Sequence, residues 1–427
     1  MDSDTDIDLP KSSHDTKPET VSSRRLADIQ VLPLLVLGFA TYQLDRTNIS
    51  SALTGGFAGA IHVDQNTINL GNQLMFLGVI ALEIPSNMVL PIIGPRRWIG
   101  SQVLVFGIIA ALQVFVRDRT GFLITRAVLG LAEAGYIPAA MYTLSTWYSR
   151  EQITTRIAVF FFGMFGGTAV SPLLGAALLK LDGRGGLAGW QWLFLVEGAC
   201  DKDTPSPEED TNTTTTIPLT TVWKTLTNTR KWAHFLATAC VFATWSPLTT
   251  YTPSIIMSLG FPRSQSNALA AVGSFLTLPV IIFFAWLSDR TKQRGAVVML
   301  AMACYLVALV VLRAMLRAPV GKWGMFTLWT TVNGLAVGYH PIHNAWIQMN
   351  CCSKAERSVI VMTATGGLMA GTQIFRGDEA STLYPRGVLI MIALVLVGLV
   401  LTGVQVLVYM LFNRRSMRLS TGKTYIL

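Results

Sequence analysis

Eleven apolar blocks, each near the length that crosses a lipid bilayer, account for most of the 427 residues. A spanning helix needs about 20 mainly apolar residues. The chain is 51% hydrophobic and only 13% charged, against about 25% charged residues in soluble proteins. These features predict an all-α polytopic membrane protein and exclude a soluble domain. The blocks run over residues 29–44, 70–93, 99–116, 121–142, 155–179, 232–258, 268–287, 295–316, 323–346, 358–375 and 387–412.

A polar, Pro- and Thr-rich stretch at 200–230 separates the first five blocks from the last six. Its composition predicts a linker between two membrane bundles, at 28–199 and 231–412. Residues 1–27 are acidic and rich in Ser and Thr, and they lack the basic start of a signal peptide. We expect them to form a disordered cytoplasmic tail, with residues 413–427 as a second cytoplasmic tail.

The net charge of +9 comes from short basic groups between the apolar blocks. Two tight basic junctions, at 94–97 and 288–294, predict short cytoplasmic turns, one in each half. A nucleic-acid partner would require basic runs and aromatic residues on a soluble face, and this pattern is absent from the sequence. The charge therefore predicts an orientation in a membrane.

Ionisable residues lie inside several apolar blocks, where a charge is costly enough to suggest a function. Arg126 and Glu133 are seven residues apart, on one face of a helix, with Gly130 between them. Two interpretations remain open: a buried ion pair that fixes helix packing, or a site that binds an anion and carries a proton. The neighbouring pair Asp45 and Arg46 favours the second interpretation, and Glu83 is a further buried carboxyl candidate.

The second half carries polar residues on the tenth predicted helix of a twelve-helix count, the block at 323–346, among them Asn333, His340, His343 and Asn344. We expect them to line a cavity or contact a substrate, because no third metal ligand lies near the two histidines. Glycines around Pro172 predict close helix packing, with a gating bend as the alternative. The sequence contains no nucleotide-binding motif and no nucleophile–base pattern, so neither an enzyme nor a bound cofactor is predicted.

Several segments together resemble the major facilitator superfamily. They are LDRTNIS (44–50), EIPSN and GPRRW (83–98), RAVLGLAEAGYIPAA followed by LSTWY (126–148), GWQWLF (189–194) and SDRTKQR (288–294). More narrowly, the chain is similar to the anion:cation symporters of the fungal allantoate, nicotinate and pantothenate permease branch. The resemblance implies a major facilitator fold, in which two pseudosymmetric six-helix bundles rock about a site at the middle of the membrane.

The resemblance also implies roles for individual residues. Proton coupling is expected at Asp45 and Glu133, and substrate binding at Arg46 and Arg126, joined by the polar residues Asn333, His340, His343 and Asn344. Gating or conformational roles are expected at Glu83, Gly130, Pro172, Asp289, Arg290 and Arg294. Asp289 and Arg290 match a cytoplasmic latch motif, although Ala285 stands where the motif has Gly and Gln293 where it has a later Arg.

The sixth helix departs from the family pattern, because only about ten membrane-like residues remain at 190–199, too few to span. We expect either a truncated sixth helix, with about eleven full spans, or a segment that re-enters the membrane without crossing it. The charge bias still favours the ordinary orientation of both halves. Asn212 begins an N-glycosylation sequon that can test on which side the linker lies.

The predicted function is proton-coupled symport of a small organic anion, such as a carboxylate or a vitamin-like nutrient. We expect a monomer in the plasma membrane, or alternatively in the vacuolar or another internal membrane. The alternatives are an exporter of a secondary metabolite, and an inactive transporter or nutrient receptor. The partners are then the anion, the proton and the lipid bilayer, with the proton gradient as the driving force.

Overall fold

The computed structural model describes residues 27–148, 153–202, 231–350, 354–418 and 425–426. Most of the predicted N-terminal tail and of the linker, including Asn212, lies outside these residues. The first bundle contains α1 (Leu32–Thr54), α2 (Gln65–Ile93), α3 (Pro95–Leu112), α4a (Arg119–Glu133), α4b (Tyr136–Trp147), α5 (Ile153–Leu178) and α6 (Gly189–Lys202).

The second bundle repeats this arrangement. It contains α7a (Trp232–Ala243), α7b (Trp245–Ser258), α8 (Arg263–Thr291), α9 (Arg294–Met315), α10a (Lys322–Leu335), α10b (His340–Met349), α11 (Lys354–Gly371) and α12 (Pro385–Arg418). The two predicted basic junctions are turns, at Gly94 with φ of +91° and at Lys292 with φ of +58°. α12 continues past residue 412, so the predicted C-terminal tail begins inside a helix.

Glycines spaced four residues apart produce the same helix contact in both bundles. In α5, a Cβ on Gly163 or Gly167 would lie 2.3 Å or 2.5 Å from a backbone oxygen of α1. In α11, a Cβ on Gly367 or Gly371 would lie 2.4 Å or 2.0 Å from a backbone oxygen of α7a. The first and fifth helices of each bundle therefore touch backbone to backbone, as small residues allow in membranes.

Six described helical segments are long and apolar enough to cross a membrane by length and composition alone. They are Pro95–Phe115, Arg119–Leu144, Val159–Leu181, Arg263–Thr291, Arg294–Met315 and Pro385–Arg415. Some of the remaining helices bury several polar residues. α1, for example, buries Gln43, Asp45, Thr47 and Asn48.

The sixth helix, α6, is described over Gly189–Lys202, and the residues that follow lie outside the described part of the chain. These 14 residues form one helix of about 21 Å at 1.5 Å per residue. The truncated sixth helix and the alternative of a re-entrant segment both stay predictions. The first turns of α6 pack at Trp190 and Phe194 against Phe57, with ring centroids 5.1 and 5.6 Å apart.

Polar contacts join the bundles at one end, which we call the sealed end. Asn267 of α8 donates to the Thr54 hydroxyl of α1 at 2.7 Å. Asn69 of α2 donates to the Phe375 carbonyl at 2.8 Å and accepts a hydrogen bond from the Tyr251 hydroxyl of α7b. The turns at Gly94 and Lys292 lie at the other end of the helices, which we call the opposite end.

Candidate functional site

A central cavity lies between the bundles, directly beneath the sealed end. Asn72 in its wall is one helical turn from Asn69, and Thr250 is next to Tyr251. Aromatic and methionine side chains form much of the wall, and Arg46 is the one Arg, Lys, Asp or Glu among the described lining residues. The aromatic and methionine lining consists of Phe39, Tyr42, Met75, Phe76, Met141, Phe161, Met164, Phe242 and Trp245.

A buried ion pair sits in the wall of the first bundle. Arg46 Nε of α1 lies 2.7 Å from Glu133 Oε2 at the end of α4a, and the side chains are 10% and 0% exposed. The guanidinium stacks 4.3 Å from the ring centroid of Tyr42 and 5.3 Å from that of Phe76. Arg46 is therefore held from two sides, while part of its side chain faces the cavity.

Arg126 lies behind this pair and is fully buried on α4a. Its Nη2 donates to Asn72 Oδ1 at 2.5 Å, and Asn72 itself lines the cavity. Asp45 is also fully buried, and its carboxylate is close enough to Arg126 to interact with it electrostatically. The predicted face with Arg126 and Glu133 is confirmed as buried, but Glu133 pairs with Arg46 of another helix.

Glu83 lies on α2 and is 1% exposed. Its two carboxylate oxygens have no hydrogen-bond partner among the described residues. The side chain is eleven residues after Asn72 and seven after Phe76, so it shares their helix face, directed further from the sealed end. Glu83 is therefore a buried carboxyl group outside the cavity lining, with Arg46 as an electrostatic neighbour.

The described lining from the second bundle includes polar side chains and no charged pair. His340 lines the cavity and stacks on Phe242 with ring centroids 4.1 Å apart and an interplanar angle of 12°. Asn344, one turn later, lies with Nδ2 3.3 Å from His340 Nε2 and also lines the cavity. Both residues lie where the sequence predicted cavity-lining groups.

Two other predicted binding residues lie away from the described cavity lining. His343 points to α7a, where its Nε2 lies 3.0 Å from Nδ1 of His234, and both rings are buried. Asn333 of α10a donates to the Thr252 hydroxyl of α7b at 3.0 Å. These side chains connect helices within the second bundle.

The predicted conformational residues occupy several places. A Cβ on Gly130 would lie 2.0 Å from the Met75 carbonyl oxygen, so this glycine permits the contact between α4a and α2. Pro172 lies inside α5. Asp289 and Arg294 form an ion pair of 3.4 Å at the opposite end, and Arg290 stacks on Trp286 at 5.6 Å.

Sequence reasoning did not single out several cavity residues. Gln43 lies one turn before Arg46 and Thr47, while Ser246 and Thr249 lie on α7b. The run of Ser and Thr after Trp245, inside an apolar block, was the available signal. The aromatic residues carried no such signal, because aromatic side chains are common in any membrane helix.

The comparisons with known proteins agree with this architecture. A model of the Major Facilitator Superfamily matches residues 35–200. The uncharacterized transporter YIL166C of Saccharomyces cerevisiae is 25% identical over 419 residues, covering 87% of this chain and 77% of the relative. A putative tartrate transporter of Agrobacterium vitis is 34% identical over 180 residues, covering 41% of this chain and 39% of that protein.

Among solved structures, the chain is similar to a bacterial homologue of the human lysosomal transporter Spinster, in an inward-facing and occupied conformation. The TM-score is 0.66 at 17% identity, covering 91% of this chain and 97% of that chain. The fold is thus the major facilitator fold of a multi-pass membrane protein. By the family match over its first half and by the relatives named as transporters, the chain is similar to membrane transporters of the major facilitator type. The narrower resemblance to anion:cation symporters stays a prediction.

Proposed function

We propose that this protein is a proton-coupled symporter of a small organic anion. The observation that carries the proposal is the ion pair of 2.7 Å between Arg46 and Glu133 in the cavity wall. Arg46 is the charged group that can replace the hydration shell of a carboxylate, and its planar fork can bind both carboxylate oxygens. We infer that the substrate anion and Glu133 compete for this one cation.

This competition would couple the two solutes. When Glu133 takes up a proton, it no longer attracts Arg46, and the guanidinium can bind the anion. When the anion leaves, Glu133 releases its proton and pairs again with Arg46. Each state leaves the wall without an unpaired charge, which matters because an isolated buried charge is costly. The proton gradient is then the energy source, and no cofactor is required.

Asp45 and Arg126 lie behind the ion pair and would support the competition between Glu133 and the anion for Arg46. Asp45 offers Arg126 a negative neighbour, and Arg126 holds Asn72 at the cavity surface. His340 and Asn344 would contact the uncharged part of the substrate from the second bundle. We infer that α1 and α4a bind the anion and that α10b contributes to selectivity.

The conformation also supports transport by alternating access. Polar contacts join the bundles at the sealed end, directly above the cavity. With the orientation predicted from the basic junctions, the sealed end would be the extracellular end, as in an inward-facing state. From the resemblance to fungal permeases, we propose that the protein lies in the plasma membrane.

Transport in reconstituted vesicles tests the proposal. Purified protein is given an inward proton gradient and a panel of labelled anions: allantoate, nicotinate, pantothenate and tartrate. We expect uptake of at least one anion, accompanied by alkalinisation outside and lost when the gradient is collapsed. Arg46→Lys should reduce uptake at least about tenfold, because Lys lacks the fork that binds carboxylates. Arg376→Lys is the matched control, since Arg376 is exposed at the sealed end. Uptake that ignores the proton gradient would refute coupling.

A further inference from the structure

Residues Tyr425 and Ile426 fill a groove between α10b and α12 at the opposite end. Asn350, just after α10b, donates to the Ile426 carbonyl at 3.1 Å and accepts from the Ile426 N–H at 2.9 Å. Asn413 of α12 donates to the Tyr425 carbonyl at 2.8 Å and accepts from the Tyr425 N–H at 2.7 Å. The side-chain amide of each asparagine therefore donates to the carbonyl of one residue and accepts from the N–H of the same residue, as a neighbouring β-strand would.

Aromatic contacts complete the groove. The Tyr425 ring stacks on Tyr409 of α12, with centroids 4.4 Å apart and an interplanar angle of 10°. Trp346 Nε1 of α10b donates to the Ile426 carbonyl at 2.7 Å. The Trp346 ring meets the ring of His234 from α7a edge to face at 4.3 Å. Two residues of the chain's last segment thus contact both α10b and α12, and α7a lies directly behind them.

The groove lies at the far end of a short helix that carries cavity residues. The helix is interrupted at 336–339, between α10a and α10b, and α10b begins at His340. His340 and Asn344 line the cavity, while Trp346 and Asn350 hold Ile426. α10b has ten residues, about 15 Å. The position of α10b therefore depends on the interruption before it and on the contacts with Ile426 near its other end.

We propose that the groove between α10b and α12 is a regulatory docking site for residues 425–426. While docked, these residues hold α10b against α12 and favour the conformation with the sealed end closed. Their release lets α10b pivot at 336–339 and makes the alternate conformation more accessible. The site recognises an extended peptide backbone through Asn350 and Asn413 and an aromatic side chain through Tyr409.

The contacts are compatible with reversible docking. They consist of five hydrogen bonds and one ring stack around two residues, and Ile426 is itself exposed. Four of these bonds are made by two asparagine side chains that lie at the end of the bundle. Small contacts of this kind open more easily than the core of a bundle.

Peptide binding tests the docking site directly. A fluorescent peptide with the sequence of residues 420–427 is titrated onto the chain that lacks residues 425–427, in nanodiscs. We expect saturable binding, which is lost in the Asn350→Ala, Asn413→Ala double variant and is blocked in the full chain. Absence of binding to the shortened chain, at unchanged thermal stability, would overturn the site.

A distance measurement tests the regulatory part in the full chain. Spin labels at positions 97 and 292 report the separation of the two bundles at the opposite end. Ile426→Pro removes the N–H that Asn350 accepts, whereas the matched variant Ile426→Ala keeps it. We expect Ile426→Pro to shift the distribution to shorter distances and Ile426→Ala to match the unmodified chain. Identical distributions for all three would show a merely structural contact and overturn the proposal.

Discussion

Replacing Glu133 by Gln removes the carboxylate that competes for Arg46, with little change in side-chain shape. In the structure, the two groups lie 2.7 Å apart and the glutamate is fully buried. A hydrogen bond to a charged group is worth about 1.5–3 kcal/mol. Because about 1.4 kcal/mol corresponds to a tenfold change in affinity, an anion should bind the variant about 10 to 150 times more tightly wherever Glu133 is ionised in the unmodified protein.

The pH dependence separates this effect from a general change in affinity. The unmodified protein should bind the anion more weakly as pH rises, since ionised Glu133 then occupies Arg46. Glu133→Gln should bind with an affinity that no longer depends on pH in this range. Proton-driven accumulation should be lost, while exchange of preloaded anion for external anion should remain.

Binding and exchange measurements on one preparation check this prediction. Scintillation proximity binding across pH gives the affinity, and vesicles with equal internal and external pH give the exchange rate. Asp378→Asn is the control, because Asp378 is exposed and its ion-pair partners, Arg376 and Arg386, lie at the sealed end. Persistent proton-driven accumulation in Glu133→Gln would refute the competition between the substrate and Glu133.

Three further predictions concern packing, acid stability and orientation. Gly130→Ala should lower the free energy of unfolding by about 1–3 kcal/mol, the usual cost of overpacking, and with it the thermal midpoint. The reason is that its Cβ would lie 2.0 Å from the Met75 carbonyl oxygen. Gly166→Ala is the control, because open space surrounds Gly166 and its midpoint should not change. Hydrogen bonds from Arg156 lower the pKa of Asp28 below its ordinary 3.8. The stabilisation by ionised Asp28 should be complete above about pH 3.8 and lost as the pH falls through the lowered pKa. Asp28→Asn should remove this acid-dependent loss of thermal stability. Asn212 should stay unglycosylated in a secretory host while a C-terminal tag is cytosolic; a glycosylated Asn212 would contradict the predicted orientation.

The sequence predicted the all-helical fold and the order of the apolar helices, because each apolar block near span length has few other stable forms in a membrane. It also predicted that Arg126 and Glu133 would be buried, since seven residues is close to two helical turns. It did not predict that Glu133 pairs with Arg46. That partner depends on how α1 is rotated against α4a, and helical periodicity within one segment does not determine this rotation.

His343 illustrates the same limit in the second bundle. His340 and His343 were both expected to line a cavity or contact a substrate. The structure directs His340 to the cavity and His343 to His234. The difference depends on the break at 336–339, which sets the direction of α10b, and on a histidine more than a hundred residues away. Contacts of this kind become visible only when the second helix is in place.

The sixth helix lies away from the described cavity lining. The described cavity lining comes from α1, α2, α4b, α5, α7a, α7b, α10b and α11, and α6 contributes no residue to it. α6 packs on α1 and α3, and a Cβ on Gly198 would lie 2.6 Å from the Gly107 carbonyl oxygen of α3. Its described part runs from the sealed end towards the opposite end, from which α7a starts. A truncation of the sixth helix, as the sequence predicts, would therefore leave intact the ion pair and the cavity that would carry transport.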